Sequence, residues 1–346
     1  MPKKEKPRNM SNPKVVIIFN LPHKAPRGEE MDYIAEAEIE DQVKAVQDAT
    51  EKLGFQCQLF PLKNEVEDLL NSLKACGPDA IINLCEAAFG DSHMEMHVPS
   101  LLELLGIPYT GSPPLTLGLC QDKGLAKAIM KANGVPTPAY QVLNSFGDWR
   151  GGIDYPLFVK PLREDASLGI SGKSFVKDEV ELKTQVEYVV GRYGQPALVE
   201  KYIDGRELNV AVLGNRKPKV LPISEILFEF ADKPKIVDYA AKWIETSDEY
   251  KKTKPVYPAE LSPSEKAKVE KVSLKAYEIM QCRDYARVDI RLKDSAPFVL
   301  EVNPNPDISP VAGFARSLEA AGIPYEEFIK KIIFSALKRT RKLTTH

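Results

Sequence analysis

The first part of the chain alternates short apolar runs with amphipathic segments, and this alternation limits the fold more than any other feature. The run KVVIIFN at 14–20 is typical of a buried strand, and the segment after it carries apolar residues at helical spacing up to Gly54. Two more strand patterns, CQLFPL at 57–62 and DAIINLCE at 79–86, lie on either side of a second helical pattern. Strands that alternate with helices predict a parallel sheet covered on both faces, so we expect one α/β domain over residues 14–118.

Beyond about residue 118 the pattern changes to short strands separated by turn signals. These strands are YPLFVKP, PALVEKYI, ELNVAVLG and KVLPISEILF, and they predict mixed, antiparallel sheets. A lysine-rich loop is expected over 231–255, a helix after Ser262 or Ser264, and a terminal helix from about Tyr325. A chain of 346 residues is too long for one ordinary core and suits two or three domains.

Charge and cysteine content argue against several classes of function. Lys and Arg number 47 against 49 Asp and Glu, so the net charge of −2 gives no overall reason to expect nucleic acid or an anionic membrane as a partner. No apolar run approaches the ~20 residues of a membrane span, and the N-terminus lacks the apolar core of a signal peptide. The 5 cysteines are scattered without a CxxC pair, so we expect reduced thiols and a cytoplasmic location.

A predicted hairpin near the C-terminus carries the residues best suited to hold a metal ion. ARVDIRL and FVLEVN have the pattern of two antiparallel strands, and a turn at 294–296 would place Lys293 opposite Pro297. Alternation along the strands then puts a polar set on one face and an apolar set on the other. The polar set is Arg287, Asp289, Glu301 and Asn303, and the apolar set is Val288, Ile290, Leu300 and Val302.

Two interpretations of the polar face have equal weight on the hairpin alone. Carboxylate and amide oxygens suit Mg²⁺, and a cation between Asp289 and Glu301 would remove the repulsion of a cross-strand pair of like charges. Arg287 beside them could hold a phosphate oxygen in its planar fork. The alternative is a solvated sheet face with an ordinary pair between the arginine and a carboxylate.

Two other segments have features of a nucleotide site, and each signal is weak alone. FVKPLREDASLGISGKS is a strand that ends in Lys160 and a polar loop with Gly169 and Gly172, so its ammonium and backbone N–H groups can hold phosphate. ALVEKYIDGREL is a strand end followed by Glu207, which can bind ribose hydroxyls or be a simple surface charge. The chain has neither GxGxxG in its first βα turn nor GxxxxGK[ST], so we predict no dinucleotide fingerprint and no Walker loop.

The order of these segments resembles the ATP-grasp superfamily, and within it the D-alanine–D-alanine ligases. The matching runs are YTGSPPLTLGLCQDKGLAKAIMKANGVPTP, FVKPLREDASLGIS, VEKYIDGREL, DYAAKW, ARVDI and LEVNPNPDISP, within residues 79–310. The resemblance implies three α/β domains, with ATP clamped between central and C-terminal mixed sheets. The expected boundaries are 14–118 for a Rossmann-like parallel-sheet domain, 119–205 for the central domain and 206–340 for the C-terminal domain with the metal site.

The resemblance also implies a set of site residues and cofactors. The ATP-binding residues would be Lys123, Lys160, Ser167, Glu200, Lys201, Ile203 and Glu207; the metal ligands Asp289, Glu301 and Asn303; and the catalytic residues Arg287, Lys242 and Glu36. The implied cofactors are ATP and Mg²⁺, with two ions and Mn²⁺ as a substitute. The implied partners are small carboxylate and amine substrates of amino-acid type, and relatives on this scaffold are often dimers, which would allow a homodimer.

The reaction implied by the resemblance has two steps. A carboxylate attacks the γ-phosphate of ATP to give an acyl phosphate and ADP, and an amine then attacks the acyl carbon and expels phosphate. We therefore expect an ATP-dependent carboxylate–amine ligase that forms an amide or peptide bond. Two alternatives use the same scaffold, namely an ATP-grasp kinase with a stable phosphorylated product and a non-catalytic nucleotide binder.

The segments around the substrates depart from the ligase pattern, whereas the ATP and metal segments keep it. Ala166 stands at the serine position of the phosphate loop, Trp243 at the tyrosine position, and Asp307 where the family usually has glycine. The serine–leucine pair for the second substrate's carboxylate becomes Ala312-Gly313, and CEAAFGDSHMEMH replaces an HGxxGEDG-type segment. Because a polar site rejects other substrates strongly, we hypothesise a substrate pair other than two D-alanines; the alternative is a true D-alanine–D-alanine ligase of cell-wall synthesis.

His93 and His97 stand four residues apart in HMEMH, on one face of an expected helix. Packing or capping is the main interpretation, and a place in the substrate pocket is the second because this segment replaces a substrate loop of the family. A metal role would need a third ligand, and HExxH is absent from the sequence. Together with Trp243, Asp307 and Gly313, the two histidines complete the predicted substrate pocket.

Overall fold

Three sheets follow one another along the part of the chain that the computed structural model describes. The described residues are 12–21, 28–29, 39–63, 65–230 and 232–339, and the predicted catalytic residue Glu36 lies outside them. A parallel sheet comes first and two antiparallel sheets follow, which confirms the predicted fold class. None of the helices in the described segments is long and apolar enough to cross a membrane. The domain boundaries remain a prediction.

The N-terminal sheet has the parallel order that the alternating pattern predicts. β1 (Lys14–Asn20) is the central strand, between β2 (Gln56–Leu62) and β3 (Ala80–Asn83). Both faces of β1 are buried, since Val15 and Ile17 belong to one apolar core and Val16 and Ile18 to another. β3 is shorter than the apolar run suggested, and the side chain of Asn83, its last residue, accepts the N–H of Cys85.

The helices begin and end at residues with ordinary capping chemistry. They are α1 (Ile39–Lys52), α2 (Val66–Cys76), α3 (His97–Leu104), α4 (Pro114–Gln121), α5 (Lys123–Ala132), α6 (Glu179–Tyr193), α7 (Tyr239–Trp243), α8 (Asp248–Lys251), α9 (Pro263–Ile279), α10 (Gly313–Ala320) and α11 (Tyr325–Arg339). Asp122 caps α5 by accepting the N–H of Leu125. Ser262 and Glu265 form a reciprocal capping box at the start of α9, as one of the two predicted caps.

The central sheet is small and entirely antiparallel. Its strands are β4 (Tyr140–Leu143), β5 (Leu157–Pro161), β6 (Phe175–Val176) and β7 (Ala197–Lys201), in the order β4-β7-β5-β6. α6 packs against β5 and closes a core of its own, confined to side chains between Leu143 and Val199. The side chain of Lys160 leaves this sheet from β5 toward the third sheet.

The C-terminal sheet contains the predicted metal hairpin. Its strands are β8 (Arg206–Leu213), β9 (Lys219–Val220), β10 (Ser224–Phe228), β11 (Thr253–Val256), β12 (Tyr285–Lys293) and β13 (Ala296–Asn303), in the order β11-β10-β8-β12-β13, with β9 on β8. The expectation of a lysine-rich loop over 231–255 is wrong, because this segment contains α7 and α8 and the start of β11. Ser247 caps α8 by accepting the N–H of Tyr250, which gives this polar segment local order.

The turn of the hairpin differs from the predicted one by a single residue. Lys293 pairs with Ala296 instead of Pro297, so the turn consists of Asp294 and Ser295 alone. Both turn residues have positive φ (49° and 56°), as a two-residue turn matched to the twist of the strands requires.

A β-bulge restores the predicted pairing at the other end of the hairpin. The register shifts between Asp289 and Ile290, so Asp289 lies opposite Glu301 and Arg287 lies opposite Asn303, as predicted. The bulged residue is Leu300, and its assignment to the core face is wrong: it lines the cavity beside Glu301. Val288, Ile290 and Val302 do lie in the apolar core under the sheet.

Candidate functional site

A cavity of about 1100 Å³ lies between the central and C-terminal sheets. The predicted site residues on its wall are Lys123, Lys160, Ser167, Glu200, Lys201, Ile203, Glu207, Lys242, Arg287, Asp289, Glu301, Asn303 and Gly313. His93, His97, Trp243 and Asp307 are not part of this wall. A second cavity, of about 940 Å³ and lined by residues between 131 and 153, contains none of the predicted residues.

Asp289 is the most heavily hydrogen-bonded carboxylate of the hairpin. Arg287 donates to both of its oxygens in a fork, Nε to Oδ1 at 2.7 Å and Nη2 to Oδ2 at 2.8 Å. The amides of Asn303 and Asn209 donate to the same two oxygens, at 2.9 and 2.8 Å. Sequence reasoning missed Asn209, although it lies directly opposite Asp289 on β8.

A line of alternating charges connects the central sheet to the hairpin. Lys160 reaches both Glu200 (Nζ to Oε1, 3.4 Å) and Glu301 (Nζ to Oε2, 3.3 Å). Burial opposes ionisation of Glu301, but Lys160, Lys123 and Arg287 outweigh it and lower its pKa to about 2. Glu301 is therefore a carboxylate at neutral pH.

The line continues behind the cavity to a lysine that sequence reasoning missed. Lys127 on α5 lies 2.7 Å from Oε2 of Glu200 and donates to the hydroxyl of Thr137 at 2.9 Å. Burial disfavours the charge on Glu200, yet Lys127 and Lys160 together lower its pKa. The signal was its position four residues after Lys123, one helical turn along the same face.

The phosphate loop is attached to α5 and to the segment that contains α7. Lys123 donates to the carbonyl of Glu164 (2.6 Å) and to Oδ1 of Asp165 (2.7 Å). Ser167 donates to the carbonyl of Val237 at 2.9 Å, and Trp243 donates through its indole N–H to the carbonyl of Ala166 at 3.0 Å. Trp243 thus joins this loop to the segment that contains α7.

Glu207 has a partner that sequence reasoning also missed. Arg291, almost fully buried on β12, donates to Oε2 of Glu207 at 2.6 Å and to the carbonyl of Gly205 at 3.0 Å. Burial raises the pKa of Glu207 in spite of this arginine. The ammonium of Lys201 has no acidic partner of this kind among the described residues and donates instead to the carbonyls of Asp154 and Tyr155, at 2.9 and 3.0 Å.

The altered substrate segments meet each other beside the hairpin. Asn305 donates to the carbonyl of Cys85 at 2.9 Å and to Oε1 of Glu95 at 3.2 Å, which fixes CEAAFGDSHMEMH against the residues after β13. Desolvation by the surrounding protein raises the pKa of Glu86 to about 7, and repulsion by the carboxylate of Asp307 is the second cause of this rise. Asp307 itself accepts the N–H and the hydroxyl of Ser309, at 2.7 and 3.1 Å.

The two histidines do not share a helix, so the expected spacing on one face is wrong. His93 lies in a single 3₁₀ turn (Ser92–Met94) capped by Asp91, which also contacts its Nδ1 at 2.9 Å. His97 is the first residue of α3. In the described segments no group of three or more His, Cys, Asp or Glu side chains is arranged to hold a metal ion, so the hairpin set of two carboxylates and one amide is the available donor set.

Comparison with known proteins gives consistent similarities. Residues 129–334 match the family described as D-ala D-ala ligase C-terminus. A D-alanine–D-alanine ligase of Thermotoga sp. (strain RQ2) is 31% identical over 293 residues, which cover 84% of this chain and 90% of the relative. The uncharacterized protein y4sG of Sinorhizobium fredii is 37% identical over 260 residues, 75% of each chain.

Similar solved structures cover nearly the whole chain. The structure of D-alanine–D-alanine ligase from Bacillus anthracis complexed with ATP superposes with a TM-score of 0.73 at 26% sequence identity. It covers 96% of this chain and 99% of that one. The ligase from Coxiella burnetii, at 21% identity and a TM-score of 0.71, supports the same fold.

Proposed function

The chain belongs to the D-alanine–D-alanine ligase family, and we propose from that premise that its cavity joins the carboxylate of one substrate to the amine of another. The proposed substrate pair is not two D-alanines. The general activity follows from membership of this family: the protein is an ATP-dependent ATP-grasp ligase that forms a C–N bond. The observation that most supports the proposal is the convergence of Lys123, Lys160 and Arg287 with the hairpin carboxylates on one cavity.

Lys123 and Lys160 are proposed to hold the phosphates of ATP. Both ammonium groups are buried and lie beside carboxylates, which keeps them charged and aimed across the cavity. The backbone of β7 up to Ile203 would face the adenine, and Glu207 would accept the ribose hydroxyls with its charge supported by Arg291. Lys242 would approach the transferring phosphate from α7.

The hairpin donors fit a divalent ion of the Mg²⁺ type. Asp289 and Glu301 lie on directly opposed strand positions and Asn303 lies two residues after Glu301, so together they offer two carboxylates and an amide, and hard cations prefer such oxygen ligands. Such an ion would neutralise charge on the phosphates of ATP. The number of ions and the use of Mn²⁺ are part of the proposal.

Arg287 is proposed to act in both steps of the reaction. Its planar guanidinium can bind the phosphoryl group as the substrate carboxylate attacks the γ-phosphorus and ADP leaves. In the second step it would stabilise the tetrahedral oxyanion as the amine attacks the acyl carbon and phosphate leaves. The fork on Asp289 uses two of the five guanidinium N–H groups, so the other three remain for the phosphoryl group and the oxyanion.

The altered segments beside the cavity support a different substrate pair. Asp307 adds a carboxylate where the family pattern has a glycine, Glu86 lies in the segment that replaces the HGxxGEDG-type segment, and Asn305 holds the two segments together. Carboxylates near a phosphoryl site are unfavourable unless they face a cation, so a substrate with an additional ammonium group would fit them. The similarity to y4sG, whose name assigns no activity, is also higher than that to the ligase of Thermotoga.

A phosphate-release screen tests the proposal. Pairs of D- and L-amino acids, including diamino acids, are incubated with ATP and Mg²⁺, and products are identified by mass spectrometry. We expect release with a pair other than two D-alanines and none for Glu301→Gln, whereas Glu278→Gln on the exposed side of α9 should behave as wild type. Joining of two D-alanines with a kcat of roughly 1–10³ s⁻¹, in preference to all other pairs, would contradict the substrate proposal. A stable phosphorylated product formed without an amine would instead indicate a kinase.

A further inference from the structure

Lys127 is a fully buried lysine that does not reach the cavity. Its side chain is 0% exposed, and it is not among the residues of the cavity wall. It nevertheless forms the shortest ion pair in the line of charges, at 2.7 Å from Oε2 of Glu200. A buried ammonium is costly unless it is paired, so its presence behind the nucleotide site needs an explanation in terms of Glu200.

Glu200 divides its two oxygens between two lysines. Oε2 faces Lys127, while Oε1 lies at the longer distance of 3.4 Å from Lys160. Lys160 also donates to Oε2 of Glu301 at 3.3 Å, so its ammonium lies between two carboxylates at nearly equal distances. These four side chains carry two positive and two negative charges.

We propose that Lys127 is a positioning residue that occupies Glu200 and so leaves the ammonium of Lys160 available to the phosphates of ATP. The inference rests on the proposed assignment of Lys160 to those phosphates. With Lys127 in place, Glu200 is already neutralised from behind, and Lys160 contributes its charge to the cavity. Without Lys127, the single charge of Glu200 would be neutralised by Lys160 itself, which would draw the ammonium back toward β7.

The charge balance gives the proposal a distinctive genetic test. Lys127→Met removes one positive charge from behind the site, and Glu200→Gln in the same chain removes the negative charge that is then unmatched. In the Glu200→Gln background, loss of Lys127 therefore leaves no unmatched carboxylate on β7 to draw the ammonium of Lys160 back from the cavity, and Glu301 remains its partner as in the wild type. A purely structural role for Lys127 would not make its effect on nucleotide affinity depend on Glu200.

The experiment measures ADP binding by titration calorimetry, with and without Mg²⁺. We expect Lys127→Met to weaken ADP binding about tenfold in the wild-type background, and by less than about threefold in the Glu200→Gln background, where Glu200→Gln alone is the reference. Lys131→Met, on the exposed side of the same helix, is the matched control and should bind ADP as wild type does. Thermal unfolding of each variant shows whether it is folded. If Lys127→Met does not fold, the double variant is compared with Glu200→Gln instead, because the double variant lacks the unpaired buried carboxylate.

The outcomes separate this inference from the proposed function. Equal ADP affinity in wild type and Lys127→Met, or an equal loss caused by Lys127→Met in the wild-type and Glu200→Gln backgrounds, would overturn the positioning role. Lys160→Met is the reference for the proposed site: if it binds ADP as well as wild type, the assignment of Lys160 to the phosphates is wrong. For the double variant alone, affinity more than tenfold below that of Glu200→Gln would also overturn the inference.

Discussion

Glu207, Asp289 and Glu301 each have a cationic side chain within 3.3 Å, so each of these acids on the cavity wall has a partner of opposite charge. The three acids serve different proposed tasks, namely binding of ribose and of metal, and all of them need the carboxylate form. Their partners Arg291, Arg287 and Lys160 come from β12 and β5. Cationic residues inside the sheet thus prepare the acids on the cavity wall for ligands.

Removal of Arg291 should weaken recognition of the ribose more than that of the phosphates. In Arg291→Met, Glu207 loses its nearest cationic partner while its burial remains, so its pKa rises further and its negative charge is less well supported. We expect wild type to prefer ATP over 2′,3′-dideoxy-ATP by about tenfold, and the variant to lose most of this preference in competition binding. Arg192→Met, at an exposed ion pair, is the matched control and should keep it. An unchanged preference in Arg291→Met would contradict the assignment of Glu207.

The pKa of Glu86 predicts a pH dependence of substrate binding. Desolvation and the carboxylate of Asp307 raise the pKa of its carboxyl group to about 7. The group is therefore mostly protonated below that pH and ionised above it. If Glu86 binds an ammonium group of a substrate, KM for that substrate should fall by up to about tenfold between roughly pH 6 and 8. Phosphate-release kinetics check this, and Glu86→Gln should show no such inflection. A wild-type KM that stays flat over this range would argue against the contact.

At the scale of elements, the phosphate loop depends on one of its two glycines. Gly169 has a φ of +74°, and a methyl group there would lie 2.5 Å from the ring of Pro161 and 3.0 Å from Tyr193. Gly172 has no atom within 4 Å of such a methyl group. The loop between Lys160 and α6 can therefore keep its shape only with glycine at the first position.

Gly169→Ala should accordingly displace the loop from the phosphates, while Gly172→Ala serves as its matched control. We expect the first substitution to weaken ATP binding about tenfold and to cost about 1–3 kcal/mol of unfolding free energy. The second should change either quantity by less than about 0.5 kcal/mol. Calorimetric titration and urea unfolding measure both effects. Equal behaviour of the two variants would show that the loop does not need the left-handed conformation at residue 169.

The hairpin shows how far the sequence could predict an element of the site. Alternation correctly paired Asp289 with Glu301. It could not reveal that the turn has two residues, because Asp294 and Ser295 are compatible with several turn types. The shorter turn and the bulge at Leu300 compensate each other, so the site pairing was right although the path to it was not. Asn209, Lys127 and Arg291 escaped prediction because their partners come from strands and helices distant in the chain.

At the scale of the whole molecule, the first and last parts of the chain share one core. Side chains of β1, β3 and α1 pack with those of α10 and α11 in a single apolar cluster, whereas the central sheet has a separate cluster. The predicted boundary at 118 could not foresee this sharing, because sequence patterns define elements and not their packing. The cavity proposed to bind ATP is therefore formed between one body that joins both ends of the chain and a smaller central one.

Asp284 links these distant parts through one fully buried carboxylate. It accepts a fork from Arg339 on α11, at 2.8 and 2.9 Å, and it also accepts the N–H of Gly111 at 3.0 Å. Gly111 donates to Oδ2, whereas Ser335 and Asn215 both donate to Oδ1, at 2.6 and 2.9 Å. One charge thus connects the terminal helix, the loop before α4 and the end of the third sheet at which β12 begins.

Asp284→Asn should destabilise the protein by about 3 kcal/mol at neutral pH, because it breaks a buried, hydrogen-bonded ion pair. Burial opposes ionisation of Asp284, but Arg339, Ser335 and Asn215 outweigh it, so its folded pKa lies below the ordinary value of 3.8. A depressed pKa contributes stability that is fully present above the unfolded pKa and is lost as the pH falls through the folded one. The difference in unfolding free energy between wild type and variant should therefore be constant above about pH 5 and shrink below about pH 4. Urea unfolding across this range measures it, with Asp48→Asn on the exposed face of α1 as the control. A difference that stays the same down to the lowest pH would mean that the hydrogen bonds of residue 284, and not its charge, hold the three parts together.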